Sequence, residues 1–471
     1  MSTTQRWTLA VVSAATAMLM LDIAVVNTAL SRIAEDLDTG LGGLQWVVDA
    51  YTLPLAATVL TAGALADRLG RRRVFAVGLV IFTLSSLVAA FAGSIEVLNG
   101  ARAVQGIGGA ILFAVSIALL AHAFPGQVER AKALGIYGAT IAGSFATGPF
   151  VGGVLTSGLD WEWVFAINVP IGVASLALTL KYVEESRDSV ARRIDWAGQA
   201  TLAGGLFLLV LALLRGNEDG WSSALILSEF AGAAVLLTAF AVIERRVREP
   251  MLPLGLFRSR AFTGAQVGAF AISGSFFAIF LYITLYLQQI LGLSAIEAGL
   301  VYVPGTLVMF GISGLTASLM ERGVRPGTLI STGLGLVTVG MLLMTTSDVD
   351  SSWTVVLAPS IVAMIGTGLF NPSVIAVALE SVPGDQSGLA AGVNDTFRQA
   401  GIAVGVAALG ALVPAEAALG GGSPAEYVDG FREAALAGAA LVGLGAVATA
   451  ILLRSKRGRP ALSGKLAADP A

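Results

Sequence analysis

The stretch Gly63-Ala-Leu-Ala-Asp-Arg-Leu-Gly-Arg-Arg-Arg73 directly follows an apolar segment, and a weaker version of it occurs in the second half of the chain. Asp67-Arg68-x-x-Arg71 reappears there as Glu321-Arg322-x-x-Arg325, again after an apolar segment. Two such charged turns at matching places indicate that one multi-helix unit was duplicated. In a membrane protein this layout is typical of a transporter that moves two halves about a central site. The alternative is chance recurrence of short charged loops.

The composition is that of a membrane protein. Hydrophobic residues make up 56% of the chain, charged residues only 13%, and the mean hydropathy is +0.82, whereas roughly a quarter of the residues in soluble proteins are charged. The formal net charge of −3 argues against a nucleic-acid partner. The chain has no cysteine and a single histidine, His122, which excludes disulfides, thiolate metal sites, cysteine nucleophiles and histidine clusters. We therefore expect neither a metal nor a cofactor.

Fourteen apolar runs are long enough to cross about 30 Å of hydrocarbon. The sequence thus predicts an all-α polytopic membrane protein with fourteen transmembrane helices. The predicted spans lie near 7–30, 45–66, 74–93, 96–122, 133–156, 163–183, 195–214, 223–243, 261–288, 296–320, 327–346, 353–378, 388–413 and 432–453.

The distribution of lysine and arginine sets the orientation, because cytoplasmic loops are enriched in both. With the N-terminus inside, 23 of the 28 basic residues fall on the cytoplasmic side. The outer side keeps Arg32, Arg215 and Arg432, and two more, Arg102 and Arg398, lie within spans. An even number of spans then places both termini in the cytoplasm.

The charged turns follow spans 2 and 10, whereas a twelve-span core would need the second one after span 8. The sequence therefore predicts six plus two plus six helices: an N-terminal bundle (1–183), two central helices with cytoplasmic loops (184–260), and a C-terminal bundle with a basic tail (261–471). We expect the first turn to act on conformation, bridging to a neighbouring helix when the cytoplasmic side is closed. Its residues are Gly63, Asp67, Arg68, Gly70 and Arg71.

Asp22 and Arg102 are charged residues in the middle of predicted spans, where a charge is a functional hypothesis by default. Asn27 follows Asp22 by a little over one helical turn. Arg102 lies at a similar depth in span 4, so the two charges are able to pair. One interpretation is a protonatable carboxylate whose distance from Arg102 changes during transport. The alternatives are an acid that only fixes helix packing and a static ion pair.

Asp395 and Arg398 are a second intramembrane pair, three residues apart on one face of span 13, next to Asn394. They either neutralise each other or leave the acid free for a cation or a proton. Glu229 in span 8 is interpreted as structural or near the surface. In span 5, Gly148, Pro149, Gly152 and Gly153 predict a kinked seam that allows close helix approach, either for simple packing or for a rocking interface.

Together these residues resemble the major facilitator superfamily, and more closely its fourteen-span drug:proton antiporter branch. The resemblance covers nearly the whole chain. It rests on the 63–73 turn, Arg102 with Gln105-Gly106, Gly148-Pro149 with Gly152-Gly153, Leu21-Asp22 to Val26-Asn27, Trp161 to Pro170, the run 252–257, and Asn394 to Gln399. One departure is Glu162, where the family usually has arginine between two tryptophans.

The resemblance implies a proton-coupled exporter in the cell membrane, driven by the proton gradient and taking small-molecule substrates, lipophilic and cationic. Contact with membrane lipids and a monomeric state are expected. Asp22 is the first candidate for the coupling carboxylate, with Arg102 as its partner and Asp395 as runner-up or second site. Candidate substrate contacts are Asp22, Asn27, Tyr51, Phe113, Phe277, Tyr282, Gln288, Gln289, Asn394, Asp395 and Arg398.

Two alternatives remain for the function. A dedicated exporter of one metabolite, antibiotic or lipid-like molecule would have the same sequence features. A membrane-embedded enzyme is disfavoured by the absence of cysteine, by the lone histidine, and by the lack of a sizeable soluble domain. An ATP-driven pump is disfavoured because no G-x-x-x-x-G-K-[ST] loop occurs.

Overall fold

The computed structural model describes residues 1–187, 194–383 and 386–454, which form long helices without a strand. Two long helices contain irregular segments: the helix Trp163–Tyr182 is interrupted at Ile167, and the helix Arg260–Ile290 contains π-helical turns at Ser273–Phe277 and Tyr286–Ile290. The helices are α1 (Thr3–Asp36), α2 (Leu41–Leu69), α3 (Arg71–Ala90), α4 (Ile95–Ala123), α5 (Gln127–Gly158), α6 (Trp163–Tyr182), α7 (Trp196–Asp219), α8 (Ala224–Arg246), α9 (Arg260–Ile290), α10 (Ala295–Glu321), α11 (Pro326–Met344), α12 (Thr354–Glu380), α13 (Ser387–Gly410) and α14 (Pro424–Leu452).

Each predicted span coincides with one of these helices, and several helices extend beyond the apolar run. α1 begins at Thr3 because Ser2 and Gln5 form a capping box ahead of the apolar residues. Thirteen of the helices in the described residues are long and apolar enough to cross a membrane. The exception is α13, whose hydropathy is lowered by Asn394, Asp395, Arg398 and Gln399.

Helix packing repeats between the first six and the last six helices. In the first set, α1 packs against α5 and α6, α2 against α4, and α3 against α4 and α6. In the last set, α9 packs against α13 and α14, α10 against α12, and α11 against α12 and α14. The second pattern is the first with eight added to each helix number. The two sets meet along α2–α13 and α5–α10, and α7 and α8 pack on each other with α7 against α2 and α13.

The two charged turns share a backbone feature but not an ion pair. Gly70 (φ 109°) and Gly323 (φ 89°) both have the left-handed conformation that favours glycine. In the first turn Arg71 Nε and Nη2 donate to Asp67 Oδ1 at 2.9 and 2.8 Å. Its backbone N–H also donates to Ser186 O at 2.8 Å, which ties the turn to the segment after α6. In the described residues Glu321 forms no ion pair within 4.0 Å.

The end of the bundle expected to face outward contains three arginines, and all three are paired with acids. Arg32 lies 3.1 Å from Glu35, Arg215 lies 2.7 Å from Asp219, and Arg432 lies 3.0 Å from Asp429. These pairs leave little net positive charge at that end. Several basic residues assigned to the opposite end lie outside the described residues: Arg192, Arg193, Lys456, Arg457, Arg459 and Lys465.

Candidate functional site

Asp22 lies at the centre of a buried polar network that joins α1, α3, α4 and α6. Its Oδ2 accepts from Arg102 Nη1 at 2.5 Å, and its Oδ1 accepts from Gln105 Nε2 at 2.8 Å and Asn168 Nδ2 at 2.9 Å. Gln105 also donates to Ser86 Oγ at 2.8 Å. The pairing of Asp22 with Arg102 predicted from their depths is therefore present, and both charges are shielded from solvent.

Arg102 is held from several directions. Its Nε donates to the Val47 carbonyl at 3.0 Å, its Nη1 also donates to Gln105 Oε1 at 2.7 Å, and its guanidinium lies 4.3 Å from the centre of the Tyr51 ring. A planar fork with five donors suits this arrangement, whereas an ammonium would satisfy fewer of these partners. Ser86 and Asn168 were not among the predicted site residues, although Asn168 belongs to the Trp161–Pro170 motif.

A cavity of about 980 Å³, counted with its open mouth, lies beside this network and between the two sets of helices. Most of its lining is apolar, including Phe145, Phe277 and Phe280. Phe145 of α5 contacts Phe277 of α9 edge-on, with ring centres 5.6 Å apart. An apolar wall with a few polar groups is typical of small-molecule sites. Polar lining comes from Asn27, Thr28, Tyr51, Thr52, Arg102, Tyr302, Asp395, Arg398 and Gln399.

Several predicted site residues line this cavity and others lie elsewhere. Asn27, Tyr51, Phe277, Asp395, Arg398 and the edge of Arg102 line it, as predicted. Asp22 lies behind Arg102, outside the lining, since the network encloses its carboxylate. Phe113 is half-buried against the core formed mainly by α1 to α4 and lies outside the cavity, contrary to the prediction. Asn394 also lies outside, donating to Gln266 Oε1 at 3.2 Å.

One end of the cavity, the end expected to face outward, is sealed by hydrogen bonds between the two sets of helices. Tyr282 is fully buried there, accepting from Gln45 Nε2 at 2.8 Å and donating to the Val406 carbonyl. Gln288 donates to Thr28 O at 3.0 Å. The prediction that Tyr282 faces the cavity is therefore wrong, and Gln288 serves the seal. Gln289 lies beside Gly420 at the same end.

Asp395 and Arg398 do not form a direct ion pair. No ion pair within 4.0 Å joins them in the described part of the chain. Asp395 is 3% exposed, and its Oδ2 has no hydrogen-bond partner among the described residues. Both side chains line the cavity, so mutual neutralisation and an acid free for a cation or a proton both stay predictions for this couple.

The glycines of α5 lie at two seams. A β-carbon at Gly148 would meet Ala24, and one at Gly152 would lie 2.7 Å from Val25 O, so both positions face α1 near Asp22. A β-carbon at Gly153 would lie 2.6 Å from Ala295 O, and Gly299 of α10 packs on Pro149. The predicted close approach is therefore confirmed, within the first set of helices and between the two sets.

Asp49 is a buried acid that was not among the predicted site residues. It is fully buried in α2, and neither carboxylate oxygen has a hydrogen-bond partner among the described residues. Gln45, one turn earlier, belongs to the seal with Tyr282. An Asp within a predicted span was a signal available from the sequence.

Of two further acids, the structure explains the position of Glu229 and does not explain that of Glu162. Glu229 accepts from Arg215 Nη1 at 3.1 Å, joining α7 to α8, which fits its interpretation as structural. Glu162 directly precedes α6, and nothing in the structure explains its replacement of the usual arginine.

Comparison with known proteins decides the family. Residues 12–406 match the model described as Major Facilitator Superfamily. The chain belongs to this superfamily. It is 34% identical to the methylenomycin A resistance protein of Streptomyces coelicolor, over 84% of this chain and 83% of that protein. It is 35% identical to multidrug resistance protein Stp of Mycobacterium tuberculosis, over 88% and 77% of the respective chains.

A solved structure supports the same fold. A peptide transporter, POT, in complex with sulfate superposes with a TM-score of 0.68 at 15% identity, covering 94% of this chain and 95% of the other. The family, its relatives and the apolar helices identify a multi-pass integral protein of the cell membrane. They point to transport rather than enzymatic chemistry.

Proposed function

We propose that this chain is a proton-coupled exporter of lipophilic drugs or toxic compounds, including cations, that works by alternating access and has no catalytic role or cofactor. The observation that carries this is an apolar cavity between two repeated helix sets, bordered by a buried Asp22–Arg102 network. Resistance relatives at 34% and 35% identity support export as the direction of transport.

The proposal includes fourteen spans in a six-plus-two-plus-six arrangement with both termini in the cytoplasm. α13 supports the count, since it packs against α2 and α9 as its repeat counterpart α5 packs against α10 and α1. The distribution of lysine and arginine supports the orientation, because the proposed outer side keeps only Arg32, Arg215 and Arg432 of the 28 basic residues. With the halves meeting within one chain, a monomer is sufficient.

Coupling would run through the carboxylate of Asp22. When a proton enters, Asp22 is neutralised and Arg102 loses its charged partner, which favours a different arrangement of α1 and α4. α1 contacts α5 at Gly148 and Gly152, so its movement would reach the α5–α10 seam. A membrane potential supplies about 2.3 kcal/mol per charge per 100 mV to this cycle.

A dedicated exporter of a single metabolite, antibiotic or lipid-like molecule is the second candidate. The observation favouring it is the similarity to a relative named for one antibiotic, methylenomycin A. The transport cycle would be the same, and only the range of accepted substrates would differ.

Transport in proteoliposomes under an imposed pH gradient tests the proposal. We expect ethidium, a cation, or chloramphenicol, a neutral compound, to move against its gradient only while the proton gradient is present, and a protonophore to abolish this. Transport that ignores the proton gradient would contradict proton coupling. Transport of one compound from a wide panel would favour the dedicated exporter.

A further inference from the structure

The charged groups that line the cavity do not leave a net negative charge, which a site for a simple cation would require. Arg102 is compensated by Asp22 at 2.5 Å. The remaining charged groups of the lining are Asp395 and Arg398, on one face of α13. The other titratable groups that line it are the phenols of Tyr51 and Tyr302.

Each member of this couple has unused bonding capacity. Asp395 Oδ2 is buried without a hydrogen-bond partner, and Arg398 forms no hydrogen bond or ion pair within the described residues. Side chains three residues apart on a helix are neighbours, with Cβ atoms about 5–6 Å apart. A guanidinium binds a carboxylate or carbonyl through parallel N–H groups, and a carboxylate binds an ammonium or another donor.

A monovalent cation at Asp395 would be attracted by the acid and repelled by Arg398 one helical turn away. In an apolar cavity this repulsion is poorly screened. A molecule carrying a positive group and an acceptor side by side meets both side chains favourably. Its apolar body would lie against Phe145, Phe277 and Phe280.

We infer that Asp395 and Arg398 form a dipolar subsite that selects lipophilic zwitterions, with the cationic group on Asp395 and a carboxylate on Arg398. This inference rests on the proposed export function and narrows its substrate class from lipophilic cations to molecules that also carry an acceptor. Arg398 is then the residue that determines specificity, and Asp395 holds the cationic group.

Two dyes that differ in one group provide the test: tetramethylrhodamine, a zwitterion with a free carboxylate, and its methyl ester, a cation. Binding is measured by fluorescence anisotropy on the purified full chain in nanodiscs, without a proton gradient. We expect wild-type protein to bind the zwitterion about tenfold more tightly than the ester, as one charge-assisted contact would give. Arg398→Gln should remove this preference, and the exposed-site control Arg6→Gln should retain it.

Arg398→Lys keeps the test decisive if the glutamine variant is unstable. It preserves the charge without the planar fork, so it should bind the zwitterion more weakly than wild type and still prefer it to the ester. The inference would be overturned if wild type bound both dyes equally or bound neither. It would also be overturned if folded Arg398→Gln or Arg398→Lys preferred the zwitterion by the same factor as wild type. The binding assay uses no proton gradient, so its outcome does not depend on proton coupling. Absence of proton-driven transport in proteoliposomes would therefore contradict the proposed function without affecting the binding result.

Discussion

Arg102 Nη1 lies 2.5 Å from Asp22 Oδ2, and the two side chains are 3% and 0% exposed. Arg102 Nε donates at the same time to the Val47 carbonyl, so one guanidinium connects α4 to both α1 and α2. Removing the charge of either partner leaves the other buried and uncompensated, which costs several kcal/mol in comparable sites, about 3–5. The pair therefore links protonation of one acid to the packing of three helices.

Asp22→Asn should abolish gradient-driven export while the protein still inserts in the membrane. The amide has nearly the same shape but cannot take up and release a proton, and Arg102 loses its charged partner. Transport in proteoliposomes measures this, with Glu35→Gln, an exposed acid on the same helix, as control. Full gradient-driven transport by Asp22→Asn would show that another carboxylate carries the proton.

Arg102→Lys should lower turnover by about tenfold or more, since lysine cannot bind Asp22, Gln105 and the Val47 carbonyl together and loses charge-assisted bonds. Initial rates of substrate accumulation at saturating substrate measure this effect. Wild-type turnover would mean that a positive charge at this position is sufficient or unnecessary.

Gly152→Ala should impair both stability and transport, because its β-carbon would lie 2.7 Å from Val25 O and would also meet Thr28. Gly143→Ala on the same helix is the matched control, since no atom lies within 4 Å of an added β-carbon there. Thermal melting and transport rates compare the two. Equal behaviour of the variants would show that α1 and α5 do not need this close approach.

Asp67→Ala should change the accessibility of cytoplasmic cysteine probes more than substrate affinity, because it removes the partner of Arg71 within the turn. The chain has no native cysteine to interfere. Glu321→Ala, in the related turn without an ion pair in the described residues, should have the smaller effect. A collapse of affinity with unchanged accessibility would contradict a conformational role.

Asp49→Asn should leave the thermal midpoint unchanged or raise it. Neither oxygen of Asp49 has a partner among the described residues, and an ionised carboxylate is costly to bury, so a neutral amide of the same shape loses no bond. Asp22→Asn, whose carboxylate accepts three hydrogen bonds, should lower the midpoint in the same assay. A marked fall for Asp49→Asn would indicate that its carboxylate has a stabilising partner.

Much of the fold could be predicted because local composition decides it. An apolar run of sufficient length must form a helix in lipid, since every backbone polar group has to be satisfied within the segment. The predicted spans therefore coincide with the helices of the structure, including α13 despite its polar face. The depth of Asp22 and Arg102 follows from the helical rise alone, which is why their pairing was also predictable.

What each side chain faces is a different matter, because helix rotation and the approach of distant segments are decided by packing. Tyr282 and Phe277 are five residues apart on α9, yet Phe277 lines the cavity and Tyr282 closes the seal with Gln45 of α2. A π-helical turn at Ser273–Phe277 changes the helical register next to them.

Hydropathy, charge bias and the duplicated turn thus determined the helical class, the span positions and the likeness of the two halves. Tertiary structure alone decided that Asp22 accepts three hydrogen bonds from α4 and α6 and that no direct ion pair joins Asp395 to Arg398. These outcomes depend on contacts between side chains of different helices. The sequence periodicity of one helix does not specify which residues of another helix it contacts.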